Sequence, residues 1–178
     1  YFNNVAIAAR YLQELHGLGR VAVVDWDVHH ANGTQHAFED DPTVFVFSIH
    51  QYAPGFFPGT GGAGERGVGA GQGTTLNAPQ PPGRTDADYL AVFEGLLRPA
   101  LDSFGPEFIL VSAGFDAHGA DPLARMNLTE AGFAALTRAV VGMARQHCGG
   151  RLVSVLEGGY DLEALSLSVA AHLEALCE

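Results

Sequence analysis

The stretch VAVVDWDVHHANG, residues 21–33, runs four apolar residues into two acids and two histidines. Asp25, Asp27 and His29 occupy alternate positions, so extended backbone would turn all three side chains to one side. Carboxylates held that close repel one another, and burial raises the cost unless a cation lies between them or a proton is shared. Taken singly, the Asp could cap a helix and the His could face water. As a set at the end of an apolar run they point to a metal. Aspartate oxygen and histidine nitrogen suit zinc, and a catalytic zinc site uses three protein ligands with a fourth position open. Asp27 and His29 supply two. FILVSAGFDAHGADP offers Asp116, His118 and Asp121 as the third, and RLVSVLEGGYD offers Glu157, Tyr160 and Asp161. Spacing does not choose among them. Gly158-Gly159 permits a sharp turn that leaves Tyr160 beside such a site, where a phenol could donate a hydrogen bond to a developing oxyanion.

These residues need a frame. Short apolar, β-branched runs predict strands over 21–27, 44–50, 108–114 and 152–157. Helical periodicity predicts helices over 5–15, 34–38, 86–103, 128–147 and 162–176. Strict alternation of helix and strand, with strands apolar on both faces, implies a parallel sheet covered by helices on each side. Ligands bind such sheets beyond the carboxyl ends of the strands, where the candidate residues fall. The long loop APGFFPGTGGAGERGVGAGQG formally contains G-x-G-x-x-G at 59–64, but those glycines do not open a helix directly after a strand, so no dinucleotide site is expected. Phe56 and Phe57 in this loop are candidate walls for a binding site.

The 178 residues fit one domain, and an apolar fraction of 47% supplies a sizeable core. No apolar run approaches the roughly eighteen residues of a membrane span, and the opening residues lack the order of a signal peptide. Cys148 and Cys177 are isolated, which suggests neither disulfides nor a cysteine metal site. A soluble protein in a reducing cytoplasm is expected. The net charge of −11 and the lack of a basic cluster argue against nucleic acid as a partner, while an acidic surface would tolerate cationic segments. YFNNVAIAAR starts without Met and inside a helical pattern, so a longer protein is expected.

DWDVHHANGTQ, SIHQYAPGFFPGTG, SAGFDAHGADPLARMNLT and LEGGYD, in this order and together with the opening YFNNVAIAA, resemble the zinc-dependent histone deacetylase family, nearest its class II and bacterial amidohydrolase branches. The similarity spans the whole chain. It implies part of an arginase/deacetylase-like α/β three-layer sandwich with a mainly parallel sheet, over residues 1–178, its N-terminal part lying outside this chain. It also implies hydrolysis of the amide of N6-acetyl-lysine in a protein, or of a small acetylated amine. Asp27, His29 and Asp121 match the zinc ligands, and Tyr160 the tyrosine that polarises the acetyl carbonyl. Phe57 matches one channel wall. Asp25, with Ser48 and backbone carbonyls near Asp27, His29 and Ile49, matches a structural potassium site, and Asn32 matches the residue that orients a catalytic histidine. In the family a consecutive His pair serves as general acid and base, upstream of the part resembling YFNN. His30 does not replace it, because His29 is committed to zinc and His30 points the other way. This chain alone is therefore expected to hold zinc weakly and turn over little. Where polyamine-selective relatives carry an acid, Leu128 stands here, which favours acyl-lysine. Two other readings are a binuclear manganese ureohydrolase, since DAHGAD is one residue longer than D-A-H-x-D, and a non-catalytic partner-binding remnant.

Overall fold

The computed structural model describes residues 2–178. Five parallel strands form one sheet: β1 (Val21–Asp25), β2 (Val44–Gln51), β3 (Thr75–Gln80), β4 (Phe108–Ala113) and β5 (Leu152–Leu156), in the order β3-β2-β1-β4-β5. Helices α1 (Asn4–His16) and α2 (Asn32–Phe38) precede β2, α3 (Asp86–Val92) and α4 (Arg98–Phe104) precede β4, and α5 (Glu130–Cys148) and α6 (Leu162–Leu176) flank β5. Strand alternation sorts the core into two layers. Val21, Val23, Val44 and Val46 pack with Val5 and Ala9 of α1 on one face. Ala22, Val24, Phe45, Phe47 and Val111 pack with Tyr89, Phe93, Leu101 and Phe133 on the other. Each fully buried large apolar side chain contributes roughly 1.5–3 kcal/mol, enough to dominate the local preferences of short strands. The result is the expected three-layer arrangement.

The sequence-based elements hold with three adjustments. Strand β3 is absent from the sequence-based set because TLNAPQ is polar, and Pro79 cannot donate to a ladder; such a segment is tolerated at a sheet edge, where it lies against β2. The single helix expected over 86–103 is opened by a π-helical turn at Phe93–Leu97, just before Pro99. The proline removes one helical N–H and crowds the preceding turn, which widens the ladder there. Strand β1 stops at Asp25, so Asp27 and His29 lie on a bend rather than on extended backbone.

Helix boundaries follow their capping residues. Asn3 accepts from the Ala6 N–H to start α1, Thr129 starts α5, and Asp161 accepts from the Ala164 N–H to start α6. Asp161, a metal candidate by sequence, is thus a helix cap. Between α5, α6 and β5, His172 is almost fully buried. The Thr137 hydroxyl donates to the Phe133 carbonyl, so it accepts from Nδ1–H of His172 at 2.7 Å, and Nε2 accepts from Ser154 Oγ at 2.9 Å. Burial pushes this imidazole down to about 4, below its ordinary 6.5. The unfolded chain takes up a proton that the fold refuses, so stability falls as the pH drops from 6.5 to about 4. The slope is at most about 1.4 kcal/mol per pH unit for one such group. Thermal unfolding followed across that range should show a steeper decline in the wild type than in His172→Gln.

Candidate metal centre

All five strands point the same way, so their carboxyl ends share one side, and a cavity of about 680 Å³ opens there. Asp25, Asp27, His29, Asn32, Phe57, Leu123, Glu157 and Tyr160 line it. The bend after β1 is shaped by its own carboxylates: Asp25 Oδ1 accepts the Asp27 N–H at 3.0 Å, and Asp27 Oδ1 accepts the His29 N–H at 2.8 Å. Successive side-chain-to-backbone turns of this kind replace strand hydrogen bonding and keep both side chains on the cavity side. Phe56 stacks on the His29 ring, with centroids 5.2 Å apart, and fixes its plane.

The third donor comes from the loop after β4. Ligating atoms of Asp27, His29 and Asp116 all lie within 4.8 Å of one another. His29 Nδ1 is 3.0 Å from Asp27 Oδ1 and 3.1 Å from Asp116 Oδ2. Ligands bonded at about 2.1 Å around a tetrahedral zinc stand about 3.4 Å apart, so the donor set fits such an ion with little adjustment. The surroundings also call for a cation. Asp116 is fully buried, its other oxygen accepts the Val28 N–H at 2.8 Å, and burial first of all raises its carboxyl to about 6. Hydrogen bonds donated to Asp116 and then to Asp27 hold the His29 imidazolium up to about 10. A Cβ added to Gly158 would collide with the carboxylates of Asp116 and Asp27, and one on Gly114 with Asp27, so both glycines permit the close approach.

Asp121, expected as a zinc ligand, lies outside this closest-set trio. It sits five residues farther on, past the turn at 117–120, and its carboxylate accepts the backbone N–H groups of Leu123 and Tyr160, at 2.9 and 2.8 Å. Asp116 was among the open candidates by residue type. The signal favouring it is Gly114, which brings this loop against Asp27 two residues before Asp116. Leu128 and Leu123 differ in exposure. The Leu128 backbone bridges His118 and its side chain is buried in the core, whereas Leu123, half-exposed, lines the cavity. The alternation used for strands has no hold on such a loop.

The other candidate residues are placed as follows. Tyr160 lines the cavity, half-exposed, and its phenol is held above its ordinary value by burial first and then by the charges of Asp116 and Asp27. Phe57 stands at the rim, 71% exposed and 6.2 Å from the His29 ring. Ser48 pairs in register with Asp25 across β2 and β1, next to buried Ile49. Burial, and then Asp27, raises the Asp25 carboxyl well above the usual range, the electrostatic strain a monovalent cation would relieve. His30 turns away and is engaged at both nitrogens, by Thr60 and Gln35, both at 2.9 Å. Glu157, reached by sequence only as an alternative ligand, is half-buried on the cavity wall, and burial followed by the Asp27 charge raises its carboxyl.

The parallel sheet, its two helical layers and the site at the strand ends define an α/β fold of the arginase/deacetylase type. The family described as the histone deacetylase domain matches residues 1–176, and the chain belongs to that family. It is 50% identical over 175 residues to "Histone deacetylase 14, chloroplastic" of Arabidopsis thaliana, covering 98% of this chain and 41% of that protein. It is 48% identical over 179 residues to the human "Polyamine deacetylase HDAC10", covering 98% of this chain and 26% of that one. The solved structure of the histone deacetylase Clr3 superposes with a TM-score of 0.91 at 40% identity, covering 98% of this chain and 30% of that chain. The chain thus spans less than half the length of these relatives.

Proposed function

We propose that this chain forms part of the catalytic domain of a zinc-dependent deacetylase that hydrolyses the amide of N6-acetyl-lysine. The observation that carries the reading is the convergence of Asp27, His29 and Asp116 at the base of a cavity that Tyr160 and Phe57 also line. Asp27 and His29, with an acid of the loop after β4 (Asp116 or Asp121), would hold the ion, which would supply a Lewis acid for the amide carbonyl and a more acidic water. Tyr160 donates its phenolic hydrogen to the oxygen on which negative charge collects. Phe57, with Phe56 behind it, gives the lysine methylenes an apolar wall and keeps water from the reacting bond. Asp25 and Ser48 would hold a potassium ion that offsets the clustered negative charge. Both nitrogens of His30 are engaged, so the groups that move protons to and from water and the leaving amine come from the rest of the protein, close to Asn32. The place of action is the cytoplasm.

The test is release of acetate from an acetyl-lysine peptide by the full-length protein. Activity should disappear on chelation and return with one zinc per chain. No hydrolysis by the zinc-loaded protein, or a requirement for two manganese ions, would overturn the reading. Leu123 at the rim offers nothing to the second amine of a polyamine. Leu123→Glu should therefore raise kcat/KM for an acetylated polyamine, relative to the peptide, by about fivefold, the order of one partly exposed ion pair. A competition assay between the two substrates reads this directly.

A further inference from the structure

We infer that Glu65 is a positioning residue: its carboxylate pins the glycine-rich loop between β2 and β3, and so holds Phe56 and Phe57 against the His29 side of the cavity. The inference rests on the hydrolase reading above, in which Phe57 walls the substrate channel. Phe56 stacks on the His29 ring at 5.2 Å, and Phe57 stands 6.2 Å from it. The segment that carries them has little backbone support. Among the described residues, only two backbone-to-backbone hydrogen bonds involve residues 53–62: Phe56 N–H to the Ala53 carbonyl at 3.0 Å, and Glu65 N–H to the Gly62 carbonyl at 2.9 Å.

Side chains supply the rest. Glu65 Oε1 accepts the N–H groups of Gly61 and Gly62, both at 2.8 Å, and Oε2 accepts from Gln35 Nε2 at 2.7 Å. A carboxylate only accepts, so the Gln35 amide turns its NH2 group to Glu65 and its oxygen the other way. That oxygen accepts from His30 Nε2 at 2.9 Å and from Asn77 Nδ2 at 2.7 Å. Glu65 thereby ties the loop to α2, to the chain following β1 and to β3 at once. Gly61 is clasped from its other side by His50, whose Nε2 donates to the Gly61 carbonyl at 3.0 Å; with φ at 93° and both imidazoles in the way, no Cβ fits there. Burial alone would raise the Glu65 carboxyl, but Gln35 and the two glycine N–H groups hold it below its ordinary value. It is therefore charged at neutral pH, and hydrogen bonds to a charged acceptor are the stronger kind. The anchored Gly61 lies four residues past Phe57, so loss of the anchor frees the aromatic pair.

The experiment uses the full-length protein as wild type, Glu65→Ala, Phe57→Ala and the double variant. It measures zinc content, kcat and KM on an acetyl-lysine peptide, and amide hydrogen exchange at Phe56, whose N–H Glu65 does not touch. Glu65→Ala should keep its zinc and a kcat within about threefold, while KM rises about threefold to tenfold, the scale of ordering one or two loose side chains at binding. In the Phe57→Ala background the same change should raise KM by less than about twofold, because Glu65 acts through that wall. Exchange at Phe56 should quicken by about tenfold or more. Loss of zinc in Glu65→Ala, an unchanged KM, full additivity in the double variant, or unchanged exchange at Phe56 would overturn the assignment. Should the wild type hydrolyse nothing, the functional reading fails, while exchange at Phe56 still decides whether Glu65 holds the loop. Should Glu65→Ala not fold, Glu65→Gln takes its place with the same supporting and overturning results, since it keeps the size of the side chain but sets an NH2 group against Gln35 or against the glycine N–H groups.

Discussion

Asp116→Ala in the full-length protein is expected to purify without zinc and to release no measurable acetate from an acetyl-lysine peptide. Asp116 is fully buried, touches His29 Nδ1 at 3.1 Å and the Val28 N–H at 2.8 Å, and thereby ties the loop after β4 to the bend after β1. Its removal takes away one of three donors and also the acceptor that holds Val28 in place. Loss of a residue that merely supports a ligand costs about 10- to 100-fold in metal affinity, so loss of a ligand should exceed that. Metal analysis of the purified protein checks the outcome. Asp116→Ala with zinc retained at one per chain would show that the ion is held elsewhere.

Tyr160→Phe should keep its zinc and bind peptide nearly as well, while kcat falls by about a hundredfold to a thousandfold, the usual loss for one oxyanion donor. The substitution removes a single hydroxyl from a half-exposed ring whose backbone is already anchored, so the fold has no reason to respond. Because burial and the neighbouring carboxylates raise the phenol above its ordinary value, Tyr160 remains a donor throughout the neutral range. Any rise or fall of wild-type activity there belongs to other groups. Steady-state kinetics across pH 6–9 (about the range in which histidine and metal-bound water titrate) would reveal the split. Undiminished kcat in Tyr160→Phe would remove the phenol from the chemistry.

How far residues alone reach is clear from particular positions. The apolar runs that became β1, β2 and β4 were legible because burial on both faces leaves a continuous signature, whereas β5, exposed at Val153 and Leu156, was legible from its β-branched run alone. Asp27 and His29 were legible as neighbours, although the cause differs from the one expected. Strand alternation ends at Asp25, and the pair is brought together by side-chain hydrogen bonds to the backbone of the bend. Beyond β4 no period applies. The relation of Asp116 and Asp121 to the site depends on how tightly a turn closes, which DAHGAD read as residues alone leaves open. The decisive contact, Gly114 against Asp27, joins residues far apart in the chain, and spacing cannot express it. β3 stayed hidden because an edge strand need not be apolar.

The common direction of the five strands has one further consequence. Four separate loops meet at the cavity, and Asp27 and His29 at its base are different residues from Phe57 and Leu123 at its rim. Selection can rewrite the rim one loop at a time while the reactive base stays intact. Change in preference then comes at no cost to competence, and relatives can diverge in diet without relearning how to cut.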